Sequence, residues 1–428
     1  MKEFFLESGA DEQTEAEGLR EPEIRRALAG LLESIRAEKG PLKKVLILPP
    51  DSTRIHSGAG GLTALLCRLL SDTEIEIMPA LGTHAPMTGE EIQRMYPGIP
   101  ASCFRVHDWR RDVRTIGEVP GREVSKLSEG AIQTGIPVEV NKALLDPSFD
   151  LILSVGQVVP HEVVGMSNYN KNIFVGCGGS GMINASHFLG AVYGMERVMG
   201  RDHSPVHRLF DYAEARFAGA LPLCYLLTVM EKGSEGMVMR SLSGGRSRQL
   251  FERSIQVSQA RNLTRLPRPI RKAVVYLEPE EFRSTWVGNK AIYRTRMAIA
   301  DGGSLLILAP GVDRFGEDPE NDRLIRKYGY CGRDRVRRAI QEDPALQNNL
   351  GAAAHLIHGS TEGRFSVTYA PGGLCREEVE QAGFSYASLP ELLAHYPADR
   401  LREGFQTIEG EEIFYISNPA LGLWHLGL

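Results

Sequence analysis

A chain of 428 residues has room for roughly two or three domains at ~150 residues each. Hydrophobic residues make up 42 % and charged residues 24 %, a globular composition that excludes extensive disorder. Forty-nine basic and 54 acidic side chains leave a net charge of −5, too slight to signal a nucleic-acid partner or an acidic tail.

The opening, MKEFFLESGADEQTEAEG, turns acidic at once and lacks the apolar core of a secretory leader. Residues 22–38 then put Ile24, Leu28, Leu31, Leu32 and Ile35 on one helical face. KKVLILPP reads as a buried strand stopped by prolines, followed by the loop Asp51-Ser52-Thr53-Arg54 and a helix at 61–71. A second strand, TEIEIMPAL, ends in Gly82-Thr83-His84, and Thr88 with Glu91 forms a capping box for the next helix. A third strand, residues 149–155, runs through Gly156 to Val159-Pro160-His161. Strands alternating with helices predict an α/β fold with a parallel, doubly wound sheet. Polar loops at the carboxyl ends of such strands are where ligands bind, so Asp51, Arg54, His84 and His161 are expected to converge.

A break falls near residues 241–272, where SLSGGRSR precedes a helix at 249–260 and the Arg/Pro-rich RNLTRLPRPIRK follows it. A second α/β unit starts with the strand AVVYLEP. It continues with a helix over 289–300 capped by Asp301-Gly302-Gly303, then the strand SLLILAPG. The division expected is a catalytic α/β domain over 1–265 and a second α/β domain over 268–395. The apolar tail, 400–428, is expected to pack back on the first. The longest apolar stretches fall well short of the ~18 residues of a spanning helix. Six scattered cysteines without a CxxC pair read as reduced thiols in a cytoplasmic protein.

Eleven histidines are few, and His84, His161 and His187 stand in suggestive places. Imidazole moves protons in both directions near neutrality and is the commonest metal ligand, although a lone loop histidine is more often structural. Lys171 reads either as a solvated lysine or as a buried amine nucleophile. Arg54 suits a carboxylate clamp, or equally a turn salt bridge. The run GCGGSG at 176–181 lacks the Lys-Ser/Thr of a phosphate loop. In His203-Ser-Pro-Val-His207, Ser204 and Pro205 fit N-cap and N1, which puts His203 outside the helix and argues against a metal pair. The basic stretch 323–338 is interleaved with Asp and Gly and reads as a solvated helix face.

The set DSTR, ALGTHAPMT, VVPHEVVGMS, then Lys171 ten residues after His161 and His187 sixteen after Lys171, resembles the nickel-pincer lactate racemase family. The likeness spans about residues 45–190 and continues more weakly through GNKAIYRTRMAIADGGSLLILAPG. It implies two α/β domains with the active site in the cleft between them. It also implies a nickel-pincer nucleotide tethered as a thioamide to Lys171, with His187 as the protein's nickel ligand; square-planar binding by soft donors and imidazole suits Ni(II). By the same resemblance His84 and His161 are the acid/base pair, and Arg54 grips the substrate carboxylate. Asp51, Thr53 and Lys290 touch the cofactor, and Tyr169 and Trp286 face the substrate. The reaction implied is inversion at C2 of a 2-hydroxy acid, with cofactor-synthesis proteins as partners and no nucleic acid or membrane. Ser167-Asn168-Tyr169-Asn170, and Val287 where lactate racemases carry glutamine, point away from lactate and toward a larger acid such as a sugar acid. Two rival readings are a zinc hydrolase using His161, His187 and Cys177, and a non-catalytic protein that binds the cofactor or a sugar acid.

Overall fold

The computed structural model describes residues 1–9, 17–233 and 236–427 and resolves two compact units. Residues 10–16 of the acidic opening lie outside the described residues. The first unit comprises residues 1–186 and 200–261, and the second comprises 187–199 and 262–428. The fold is α/β with parallel-rich sheets.

The first unit is built on strands β1 (Phe4–Glu7), β2 (Lys44–Leu48), β3 (Glu74–Ile77), β4 (Val113–Val119), β5 (Ile136–Asn141) and β6 (Leu151–Gln157). These continue with β7 (Pro160–His161), β8 (Gly165–Met166), β9 (Leu223–Lys232) and β10 (Met237–Gly245). Six of them form one sheet in the order β1-β10-β9-β6-β2-β3. Its four strands β9, β6, β2 and β3 run parallel, and β10 and β1 close one side with antiparallel pairs. The apolar runs of β2 and β6 are buried almost throughout, as a strand covered on both faces requires.

The helix Glu21–Lys39 buries Ile24, Leu28, Leu31, Leu32 and Ile35, the stripe its sequence predicts. With the helix Ala59–Leu69 it covers Val45, Ile47, Leu151, Leu153 and Val155. Thr88 caps Gly89–Met95 and exchanges the expected capping-box bonds with Glu91. Strands β4 and β5 form a separate antiparallel hairpin that the sequence pattern does not announce.

The second unit adds β11 (Thr264–Arg265), β12 (Ile270–Tyr276), β13 (Ile299–Ala309), β14 (Ser366–Pro371), β15 (Ser385–Tyr386), β16 (Gly404–Ile408), β17 (Glu411–Ile416) and β18 (Trp424–His425). Its sheet has the order β15-β14-β13-β12-β17-β16, parallel except for the edge strand β16.

Two expectations are corrected here. The tail from residue 400 belongs to the second unit: β17 pairs parallel with β12, and Ile413 to Ile416 are buried. The helix after Asn289 ends at Thr295, and Asp301-Gly302-Gly303 is not its cap. Those residues lie inside β13, where Gly302 at φ +74° bends the strand and the register against β12 slips between Ile270 and Lys272. A diglycine serves a bulge as well as a helix end.

Candidate active site

The loops after β2, β3 and β6 carry the first group of expected residues. Pro49 and Pro50 end β2, and Asp51 caps the short 3-10 stretch Ser52–Ser57 by accepting from Thr53 N at 3.2 Å and Thr53 Oγ1 at 2.5 Å. Its other oxygen meets His84 Nδ1 at 2.5 Å. Asp51 is buried whereas His84 is exposed on a tight turn closed by its N–H on Leu81 O. Burial would raise the Asp51 carboxyl. Bonding to His84 and the charge there, then Thr53 and Arg54, outweigh burial and hold it below the usual carboxylate range. An imidazole that gives Nδ1–H to a buried carboxylate keeps Nε2 for proton exchange.

Lys171 stands just after a strained turn. Asn168 and Tyr169 both hold left-handed backbone, at φ 73° and 56°, which non-glycine residues rarely adopt. Gly156 at the end of β6 makes the turn possible, since a Cβ there would lie 1.9 Å from Asn168 Nδ2. The turn drives the Tyr169 ring between Tyr225 and Phe251, at 4.4 and 4.9 Å, with its hydroxyl donating to Arg246 O. Tyr169 is therefore a core residue, and its expected contact with substrate is withdrawn. Asn170 donates to Asp211 at 2.7 Å, and the single π-turn Asn172–Gly176 follows Lys171. Asn172 Nδ2 reaches both Leu48 O and Ser154 Oγ, tying this turn to the carboxyl ends of β2 and β6.

Burial, then the Arg54 guanidinium, bring the Lys171 amine down to about 8, against opposing pulls from Glu162 and Asp51. Lys171, Arg54, Asp51 and Glu162 thus share one electrostatic environment. His161 is buried on β7 beside Glu162, and its Nδ1 accepts from Val163 N at 3.1 Å. The neutral ring assigned from that bond carries its proton on Nε2.

The zinc reading loses its thiol. Cys177 is fully buried, and burial pushes its thiol far above the range where a thiolate forms. The glycine run serves packing: a Cβ on Gly178 would meet Phe174 O at 1.9 Å, and Glu139 already accepts from Gly181 N at the start of helix Ser180–Tyr193. His203 lies outside its helix as expected, and His207 is buried and donates from Nε2 to Met166 O. Among the described residues, the group with ligand atoms close enough to chelate an ion is Asp202, His203 and Glu252.

In the second unit His187 is half-buried on helix Ser180–Tyr193, which passes from the first unit into the second at that residue. Trp286 stacks on His355 at 4.1 Å, and Lys290 has its ammonium 5.7 Å from the Phe282 ring.

A family model, the lactate racemase N-terminal domain, matches residues 3–199. Over that stretch, just under half of the chain, the protein is similar to the lactate racemase family. A solved protein of Thermotoga maritima, from a structural-genomics programme, is 25 % identical with a TM-score of 0.80, over 95 % of this chain and 99 % of that one. The lactate racemase apoprotein of Thermoanaerobacterium thermosaccharolyticum shares the fold, at a TM-score of 0.69 and 18 % identity, over 91 % of this chain and 88 % of that one. No curated protein matches the chain.

Asp51 bonds Thr53 through one oxygen and His84 through the other, so the pair aims an imidazole. Sequence reasoning missed Asn172 and Glu139. Neither belongs to a motif, and the contacts that give them purpose are 124 and 42 residues away.

Proposed function

We propose that the chain is an isomerase inverting C2 of a small 2-hydroxy acid with a nickel-pincer nucleotide attached at Lys171. What carries this reading is the grouping of a lysine amine near pKa 8 with Arg54 and with the Asp51–His84 pair. The residues fit the group: an amine partly neutral near pH 8 can form an amide-like tether, and the His187 imidazole is a suitable Ni(II) donor. Lys290 supplies a further ammonium for an anionic cofactor. When bound, the nucleotide would supply the centre that accepts the C2 hydrogen with its electron pair and gives it back.

The chain's own residues do the rest. Arg54 grips the substrate carboxylate in a bidentate fork and serves as the pivot about which the flat keto acid turns. His84, aimed by Asp51, takes the hydroxyl proton from one enantiomer and returns it in the reverse direction. His161 does the same for the other through Nδ1, the nitrogen that keeps the lone pair, giving up the Val163 N–H bond as it takes the proton. Trp286 lines the substrate, and Val287 in place of glutamine favours an acid larger than lactate, such as a sugar acid. The protein works in the cytoplasm, supplied by cofactor-synthesis proteins.

The test loads the protein with cofactor and offers single enantiomers of a panel of 2-hydroxy acids, with chiral analysis of the products. Wild-type protein should invert at least one acid, and H84A and H161A should each be slower by about 100-fold or more. Full activity in either variant, or no inversion by protein whose mass shows the adduct, would refute the proposal.

A further inference from the structure

The ligand histidine of the proposed cofactor sits on a short piece of chain that the second unit holds by one buried guanidinium. Helix Ser180–Tyr193 ends six residues past His187. Gly194, at φ +107°, turns the chain into the single 3-10 turn Met195–Arg197, and Val198 and Met199 are buried behind it. Glu196 in that turn accepts from Arg296 Nε at 2.7 Å. Arg296 is 3 % exposed and also donates from Nη1 to the carbonyls of His358 and Ser360, at 3.1 and 3.2 Å. Its own backbone N–H closes the helix Lys290–Thr295, the element that starts with Lys290. Arg364 braces the arrangement, with Nη1 3.7 Å from Glu196 and donating to Arg296 O at 3.1 Å. Burial would raise the Glu196 carboxyl, but the Arg296 charge outweighs it and holds the group ionised.

We infer that Arg296 and Glu196 are positioning residues that fix the His187 segment to the Lys290 helix within the second unit. This rests on the proposed function for the role of His187, though not for the latch itself. A guanidinium is a costly way to fill core space, since an apolar side chain of similar volume packs as well without desolvating a charge. What it adds is direction: the planar fork reaches a carboxylate and two carbonyls at once and so fixes three chain segments in one register.

The test has two arms. In the apoprotein, Glu196→Gln should speed hydrogen exchange of amides 189–199 by about tenfold, the scale of one charge-assisted hydrogen bond, while β12 and β13 exchange as before. In cofactor-loaded protein, E196Q should release nickel to a chelator about tenfold faster with the Lys171 adduct mass retained. R296K keeps the charge but loses the fork and should fall between wild type and R296M. Unchanged exchange, or nickel release equal to wild type, would overturn the inference. A wild-type protein that takes up no adduct would defeat the proposed function and leave the exchange comparison to decide the latch by itself.

Discussion

At the scale of the residue, the Asp51–His84 pair makes a sharp demand. Asp51→Asn keeps the shape but swaps a carboxylate for an amide, so His84 loses the acceptor that fixes its tautomer and orientation. The rate of inversion should fall by about 100-fold with KM little changed, measured under saturating substrate. Lys171 gives a pH signature. Its folded value, about 8, lies below the ordinary 10.5, so the unfolded chain holds the proton more tightly and burial of the ammonium costs stability at pH 7. The cost disappears as pH rises from about 8 toward 10.5. Lys171→Met should therefore stabilise the apoprotein at pH 7 by about 3 kcal/mol, and the gain should vanish near pH 10.5 in thermal melts. His84, His161 and Lys171 were legible as candidates because their residue types are rare and sit beside strand ends. The partner of His84 was not, because Asp51 looks equally like a loop cap, which it also is.

Elements were legible where a strong local signal agreed with the tertiary outcome. Strands β2 and β6 are apolar runs cut by Pro or Gly, β3 alternates Glu with Ile, and helix Glu21–Lys39 carries its buried stripe openly. The β4–β5 hairpin was illegible because VRTIGEV alternates only weakly, its bulge between Thr115 and Gly117 spoiling the period that IPVEVN keeps. Two adjacent glycines show how context decides. Gly60 and Gly61 share the helix Ala59–Leu69, but a Cβ on Gly60 would lie 2.2 Å from Met95 O, whereas Gly61 faces open space. Gly61→Ala should stabilise by about 0.5–1 kcal/mol through helix propensity, and Gly60→Ala should cost about 1–3 kcal/mol, both read by chemical denaturation.

At the scale of the whole molecule, sequence spacing does not reveal which sheet a terminal strand joins. The tail reads as apolar, and apolar segments are attracted to any core. Only the parallel pairing of Ala273 to Val275 with Phe414 to Ile416 assigns it. Ile413, Phe414, Tyr415 and Ile416 are all buried, together worth roughly 6–12 kcal/mol before chain entropy is set against it. That rivals the whole stability of a typical domain, ~5–15 kcal/mol. A chain ending at residue 399 should lose exchange protection across β12 and β13 while β2 and β6 keep theirs.

The central claim is that the C2 hydrogen leaves with its electrons and comes back. A substrate deuterated at C2, turned over in ordinary water by cofactor-loaded protein, tests it most directly. The account predicts an inverted product that still carries deuterium at C2. Inverted product with hydrogen from water at that carbon would mean removal as a proton and would contradict it.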